Sequence, residues 1–252
     1  MGREYQMIKI RNLLGNIVIF VLLITSLFLI SMALKEEYPL WKNQNDLEKL
    51  QEEIGKSENN KEKSSDIDWK KLKEINQDIV GWIKVPGTKI DYPILKNKTW
   101  NEYLHKNYKG DYSYPGSIFI QPENSLDDKH VVIYGHNMRI KSMFGSLHNY
   151  EAEDFYKKHQ KIFIYQPQRT IEAVIYSTYD CQDKTDVYKI KFSNEKEWKK
   201  WISISKKNNS YYPIKRKVKE EDKVITLSTC SGKDKGQNSR YIVHTVIQKI
   251  NR

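Results

Sequence analysis

The pentad Thr226-Leu227-Ser228-Thr229-Cys230, Arg240 shortly after it, and the upstream run Tyr134-Gly135-His136-Asn137 carry the chemistry legible in this chain. Cys230, His136 and Arg240 each stand at the end of a predicted strand. A thiol at a strand end is partly exposed, neighbouring positive charge favours its ionisation, and the thiolate is the nucleophilic form. A free thiol titrates near about 8.5 and a free imidazole near about 6.5, so few molecules carry thiolate and imidazolium together at neutral pH. A guanidinium stays charged throughout and raises that fraction. It also offers donors where negative charge develops on a scissile carbonyl. The three groups point to covalent acyl chemistry.

Strand alternation decides which neighbours matter. Val224, Thr226, Ser228 and Cys230 share one face of their strand, and Arg240, Ile242, His244 and Val246 share one face of the next. The polar, glycine-bearing residues between them can return the chain and bring Arg240 near Cys230. His244, four residues further along, falls short of the site by roughly 13 Å, and His130 is displaced from His136 by roughly 20 Å. Both read as structural. His105, His148 and His159 lie in helical or loop contexts without a matching cysteine partner. By elimination His136 is the best proton carrier. Cys181 has no basic residue immediately beside it and reads as a small packing residue. Two cysteines cannot form a disulfide-dense scaffold, and the chain after position 66 is long enough for an ordinary core, so both thiols are expected free.

The elements that must position these residues follow from the pattern. Short β-branched or aromatic stretches predict strands at 82–85, 89–94, 117–120, 130–134, 161–165, 170–178, 187–192, 224–229 and 241–250, with Pro86-Gly87 and Pro115-Gly116 as turn signals. That number of strands suggests a mainly β, closed barrel. A helix is expected from a cap at Ser65 or Asp66 through about Gln77. Two helical interruptions are expected at Ser142–Tyr156 and Asn194–Lys207, the second placing Trp198, Trp201 and Ile202 on one side as a wall beside the site.

The N-terminus says where the chemistry happens. Residues 13–34 carry no charge and are long enough as a helix to cross a hydrocarbon core of roughly 30 Å. Arg3, Lys9 and Arg11 precede them, so residues 1–12 are expected in the cytoplasm and the rest outside. A cleaved signal peptide is the competing reading, with Ser31-Met32-Ala33 as its site, although such apolar regions usually run about 7–15 residues. Residues 35–66 are polar and read as a stalk, with a turn or two of helix over Asp46–Ile54. Residues 67–252 form the expected catalytic domain. The chain's net charge of +11 is concentrated there and suits anionic partners, although a solvated lysine-rich surface is the plainer reading. Nucleic acid is not expected outside a membrane. Six dispersed histidines and two cysteines form no ligand pairs at zinc spacing, and no carboxylates cluster for calcium, so neither metal nor cofactor is expected.

Several runs resemble class B sortases: Gly81-Trp82-Ile83-Lys84-Val85-Pro86-Gly87-Thr88, Asp91-Tyr92-Pro93-Ile94, Gly116-Ser117-Ile118-Phe119-Ile120, Ile133-Tyr134-Gly135-His136-Asn137-Met138, Met143-Phe144-Gly145 and Thr226 to Cys230. They occur in the family's order across nearly all of residues 66–252. The resemblance implies an eight-stranded sortase barrel with N-terminal helices and a helix before the Cys230 strand, anchored in the membrane of a Gram-positive bacterium. It implies cleavage of a C-terminal sorting signal of the Asn-Pro-x-Thr-Asn/Gly type after threonine, through a thioester on cysteine. An amine of a peptidoglycan precursor, or in some members of a pilin lysine, resolves the thioester. On that resemblance Cys230 is the nucleophile, His136 the general acid and then base, and Arg240 the oxyanion stabiliser. Leu104, Thr185, Tyr188 and Ser228 are implied to border the peptide groove. Ser231, where some relatives carry an acid, and Trp100, in place of a polar residue, depart from the pattern and bear on peptide preference. The rivals are a papain-like wall peptidase, whose cysteine would precede its histidine, and a noncatalytic surface-binding barrel.

Overall fold

The computed structural model describes residues 2–54, 67–183, 185–207, 211–232 and 238–251. The chain divides into two compact units, Met1–Lys42 and Asn43–Arg252. Helix α1 (Gly2–Ile54) supplies all that is described of the first unit. From Leu14 to Leu34 its large apolar side chains lie exposed. This stretch is long and apolar enough to cross a membrane, and a signal sequence would have the same character.

The second unit is a closed barrel of eight strands: β1 (Ile79–Lys84), β2 (Asp91–Lys96), β3 (Ile118–Ile120), β4 (His130–Tyr134), β5 (Lys161–Gln166), β6 (Arg169–Gln182), β7 (Val224–Cys230) and β8 (Ser239–Asn251). Their order around the barrel is β1-β2-β3-β4-β7-β8-β6-β5, and β5 closes on β1. Closure leaves no unpaired edge. Two pairs are parallel, β2–β3 and β4–β7, and the others antiparallel. Ile83, Ile94, Ile133, Ile175, Leu227 and Val243 are fully buried.

Several segments depart from the expectations. Residues 43–54, assigned to a stalk, continue α1, and Leu47, Leu50 and Ile54 are buried within the second unit. Their helical spacing makes a stripe too narrow to hold a helix alone, and packing on the barrel supplies the rest. Gln51 Nε2 adds a hydrogen bond to the Asp91 carbonyl at 2.6 Å. The caps expected at Ser65 and Asp66 lie outside the described residues. Helix α2 (Trp69–Ile75) is instead capped by Asp68, whose carboxylate accepts from Lys71 N–H at 2.9 Å.

Residues 187–192 are not a strand. A 3-10 turn occupies Asp186–Tyr188, and Val187 is a plug packed with Tyr179 and Ile242. The helical interruption after β4 splits into a 3-10 helix (Gly145–Glu151) and α3 (Glu153–Lys158). Helix α4 (Glu195–Lys207) forms as expected, but it packs Trp198, Trp201 and Ile202 against Tyr176, Val224 and Val246. Val224 begins β7 and Cys230 ends it, so α4 braces the far end of that strand and is not a wall beside Cys230.

Candidate active site

Register brings the chemical groups together. In the parallel β4–β7 pair Tyr134 stands opposite Ser228, so the residues two further on, His136 and Cys230, emerge side by side where both strands end. In the antiparallel β7–β8 pair Cys230 is registered with Arg240. Three adjacent strands therefore deliver a thiol, an imidazole and a guanidinium to one end of the barrel. All three line an open cleft of about 360 Å³.

Each group has a distinct environment. Cys230 is exposed and free, while Cys181 is free but half-buried. Burial pushes the Cys181 thiol up to about 11, so it stays protonated and unreactive at neutral pH. His136 is half-buried, and its Nε2 lies 2.9 Å from the Leu104 carbonyl oxygen. A carbonyl only accepts, so Nε2 carries the hydrogen and Nδ1 is the nitrogen that gains and gives the exchangeable proton. Burial holds the His136 imidazole below its ordinary value, His105 adds to the depression, and the Leu104 hydrogen bond opposes it. His105 and Tyr114 lie against this ring, with centroids 5.3 and 6.2 Å away.

Arg240 is held at the cleft wall. Its Nη1 donates to the Ser239 carbonyl at 3.2 Å, and its Nη2 stands 3.7 Å from Asp183 Oδ2. Gly116 sets how closely the chain passes Leu104. It adopts φ +59°, and a Cβ there would sit 2.1 Å from the same Leu104 oxygen that His136 uses. Only glycine permits that close approach.

The expected groove residues separate. Leu104, Tyr188 and Ser228 line the cleft, with Trp100, Tyr134 and Ile190 completing its apolar walls. Tyr188 and Ser228 share a hydrogen bond of 2.9 Å between their hydroxyls, and the Tyr188 ring stacks on Tyr134 at 6.0 Å. Burial raises the Tyr188 phenol, so it remains a neutral donor. Thr185 is exposed, its hydroxyl donates to the Gln182 carbonyl at 3.1 Å, and it does not line the cleft.

Sequence reasoning placed Leu104 at the groove without its main-chain role, missed the contact of Asn137 and misjudged His148. Leu104 acts through its main-chain oxygen, which no residue type reveals. Asn137 belongs to the quoted motif, yet its contact is also with main chain: Nδ2 donates to the Cys230 carbonyl at 2.9 Å. His148, set aside for lack of a cysteine partner, has Nε2 3.0 Å from that same oxygen. His130 and His244 are buried deep in the barrel, away from the cleft lining, and are linked through Thr226.

A nucleophilic thiol beside an imidazole with one exchangeable nitrogen, facing a fixed guanidinium in an open cleft, can attack a carbonyl, protonate its leaving amine and hold the oxyanion. Comparison with known proteins points to one family. The sortase domain family matches residues 83–248. Sortase B of Listeria monocytogenes is 35% identical over 176 residues, covering 68% of this chain and 70% of that protein. The structure of a Staphylococcus aureus sortase B–substrate complex superposes with a TM-score of 0.73 at 28% identity, covering 82% of this chain and 97% of that one. Sortase B from B. anthracis gives 0.73 at 30% identity, covering 84% and 99%. With its barrel and matching family, this chain belongs to the sortases, as a sortase B-type cysteine transpeptidase.

Proposed function

We propose that the cleft receives the C-terminal sorting signal of a secreted protein, of the Asn-Pro-x-Thr-Asn/Gly type, and that Cys230 cleaves it after the threonine. The Cys230 thiolate adds to the threonine carbonyl, and Arg240 holds the oxyanion. His136 then gives the Nδ1 proton to the departing amine, leaving a thioester on the sulfur. An incoming amine of a cell-wall precursor attacks that thioester. His136 takes up its proton, and the thiolate leaves. The carrying observation is the exposed Cys230 at the meeting point of three strand ends, beside His136 and Arg240 in one open cleft. The S. aureus relative, whose structure is a substrate complex, supports a peptide as occupant.

The same reading places residues 1–12 in the cytoplasm, 13–34 across the membrane and the barrel outside the cell. The positive residues before the apolar stretch support this orientation. Full-length protein in detergent micelles, incubated with a fluorogenic pentapeptide library with and without candidate amines, tests the chemistry. A mass adduct of the acyl group on the wild type, released faster by a wall-precursor amine and missing from Cys230→Ala, is the expected outcome. A lysine side-chain amine acting as the better acceptor would redirect the assignment to fibre assembly. Turnover by purified Cys230→Ala would overturn it.

A further inference from the structure

The nucleophile's own carbonyl is held by an arrangement that the acyl-transfer steps do not use. Ser231 N–H bonds the Ser239 carbonyl across the β7–β8 pair at 3.0 Å, so the peptide groups of the neighbouring Cys230 turn the other way, toward β4. There the parallel ladder runs on to Gly135, whose N–H donates to the Ser228 carbonyl at 3.2 Å. The next donor in the ladder would be the backbone N–H of residue 137, taking the Cys230 oxygen. The chain has by then left the sheet, since Asn137 pairs with Met143 in a tight bridge. The side chain of Asn137 makes the bond instead, and His148 closes on the same oxygen.

His148 is fixed from behind. Its Nδ1 lies 2.6 Å from Glu151 Oε1, and its ring stacks on the buried Tyr241 with centroids 4.6 Å apart. The carboxylate accepts the Nδ1 hydrogen, which leaves Nε2 for the cleft side. Nε2 is 3.1 Å from Asn137 Nδ2. A neutral ring accepts that amide hydrogen while Asn137 donates its other one to Cys230; a charged ring donates to Cys230 directly. In the neutral form Asn137 bridges the His148 ring and the Cys230 carbonyl, and in the charged form Asn137 and His148 both donate to that carbonyl. Asn137 directly follows His136, so this set ties the strand end bearing the imidazole to the strand end bearing the thiol.

We propose that His148, oriented by Glu151, is a positioning residue for Cys230: through the Cys230 carbonyl it fixes the thiol relative to His136 and Arg240. The proposal rests on Cys230 being the nucleophile. Displacing the sulfur from His136 and Arg240 misaligns its attack, and misplacement of about 1 Å can cost up to a hundred-fold in rate.

The test uses full-length protein in detergent micelles. Iodoacetamide alkylation of Cys230 is followed by mass against pH, with Cys181 as internal reference. Turnover of an Asn-Pro-x-Thr-Asn peptide is measured alongside. His148→Phe keeps a flat ring on Tyr241 but loses both nitrogens, and His148→Gln returns a donor near the Nε2 position. In His148→Phe the alkylation profile of Cys230 should depart from that of the wild type and kcat should fall roughly ten- to a hundred-fold, with KM within about two-fold. His148→Gln should recover both. If His148→Phe does not fold, Glu151→Ala, which leaves the imidazole in place but unheld, is read in the same way. An alkylation profile superimposable on the wild type overturns the proposal, as does a change that tracks melting temperature and that His148→Gln does not repair. A wild type that turns over no pentapeptide would sink the sorting-signal reading alone, because the alkylation profile still decides the role of His148.

Discussion

Replacing Thr226, the first residue of the nucleophile pentad, by valine isolates a buried chain of hydrogen bonds beneath the site. His130 Nδ1 lies 2.7 Å from the Lys189 carbonyl, which only accepts, so Nδ1 carries the hydrogen. Burial holds His130 down to about 4, so its ring is neutral and Nε2 is an acceptor. Thr226 Oγ1, 2.7 Å away, must donate to it. Having one hydrogen, that hydroxyl accepts from His244 Nδ1, also at 2.7 Å. His244 Nε2 in turn accepts from the Tyr179 hydroxyl at 2.7 Å.

Valine matches threonine in volume but leaves two opposite orphans, the His130 Nε2 lone pair and the His244 Nδ1–H. A buried unsatisfied group costs about 1–3 kcal/mol, so Thr226→Val should destabilise by roughly 2–6 kcal/mol. Thr226→Ser keeps the hydroxyl and loses one methyl group, for about 1 kcal/mol. Urea unfolding at pH 7, followed by tryptophan fluorescence, measures both. Trp201 reports locally, its ring centroid lying 4.1 Å from that of His130. A Thr226→Val protein within about 1 kcal/mol of wild type would refute the deduced chain, and so would a serine variant as weak as the valine one.

Three further outcomes follow from the geometry. Because burial holds His130 at about 4 against an unfolded value near 6.5, its contribution is fully present above about pH 6.5 and is lost as pH falls toward 4. From pH 7 to pH 5 this removes roughly 2 kcal/mol through His130 alone, His244 adds in the same direction, and an unfolding midpoint that is flat over this range would contradict it. Gly116→Ala drives a Cβ into the Leu104 oxygen and should lower kcat by displacing His136, seen as unequal losses of activity and of stability across a melting series. Arg240→Lys keeps the charge but loses the fork, and should reduce acyl-enzyme formation by roughly a hundred-fold or more, read by rapid-quench mass analysis; a near-wild-type rate would remove Arg240 from the oxyanion role.

The barrel was legible because its strands are short β-branched or aromatic runs bounded by turn residues, and because Cys230, Ser228, Thr226 and Val224 find Arg240, Ile242, His244 and Val246 across the ladder, as a period of two requires. Residues 187–192 have strand composition, but Val187 and Phe192 spend their apolar surface as plugs against Ile242 and Trp198, and composition does not distinguish a plug from a ladder. The helix over residues 43–54 was underestimated because its stripe is stabilised by the barrel and not by itself. At the site, side-chain chemistry was readable and main-chain chemistry was not. Leu104 matters for an oxygen every residue possesses, and His148 meets the carbonyl of Cys230, not its thiol.

Parallel neighbours cannot be joined by a tight hairpin, so the chain must travel far between the end of β4 and the end of β7. That compulsory detour holds two 3-10 segments, α3, α4 and two of the eight strands, β5 and β6, yet both of its ends are clamped by the ladder between His130–Tyr134 and Val224–Ser228. The stretch around α4 is thus an insertion bay. Lineages, or protein engineers, can lengthen or replace it to recruit new cargo while the distance between base and nucleophile stays set by backbone pairing elsewhere.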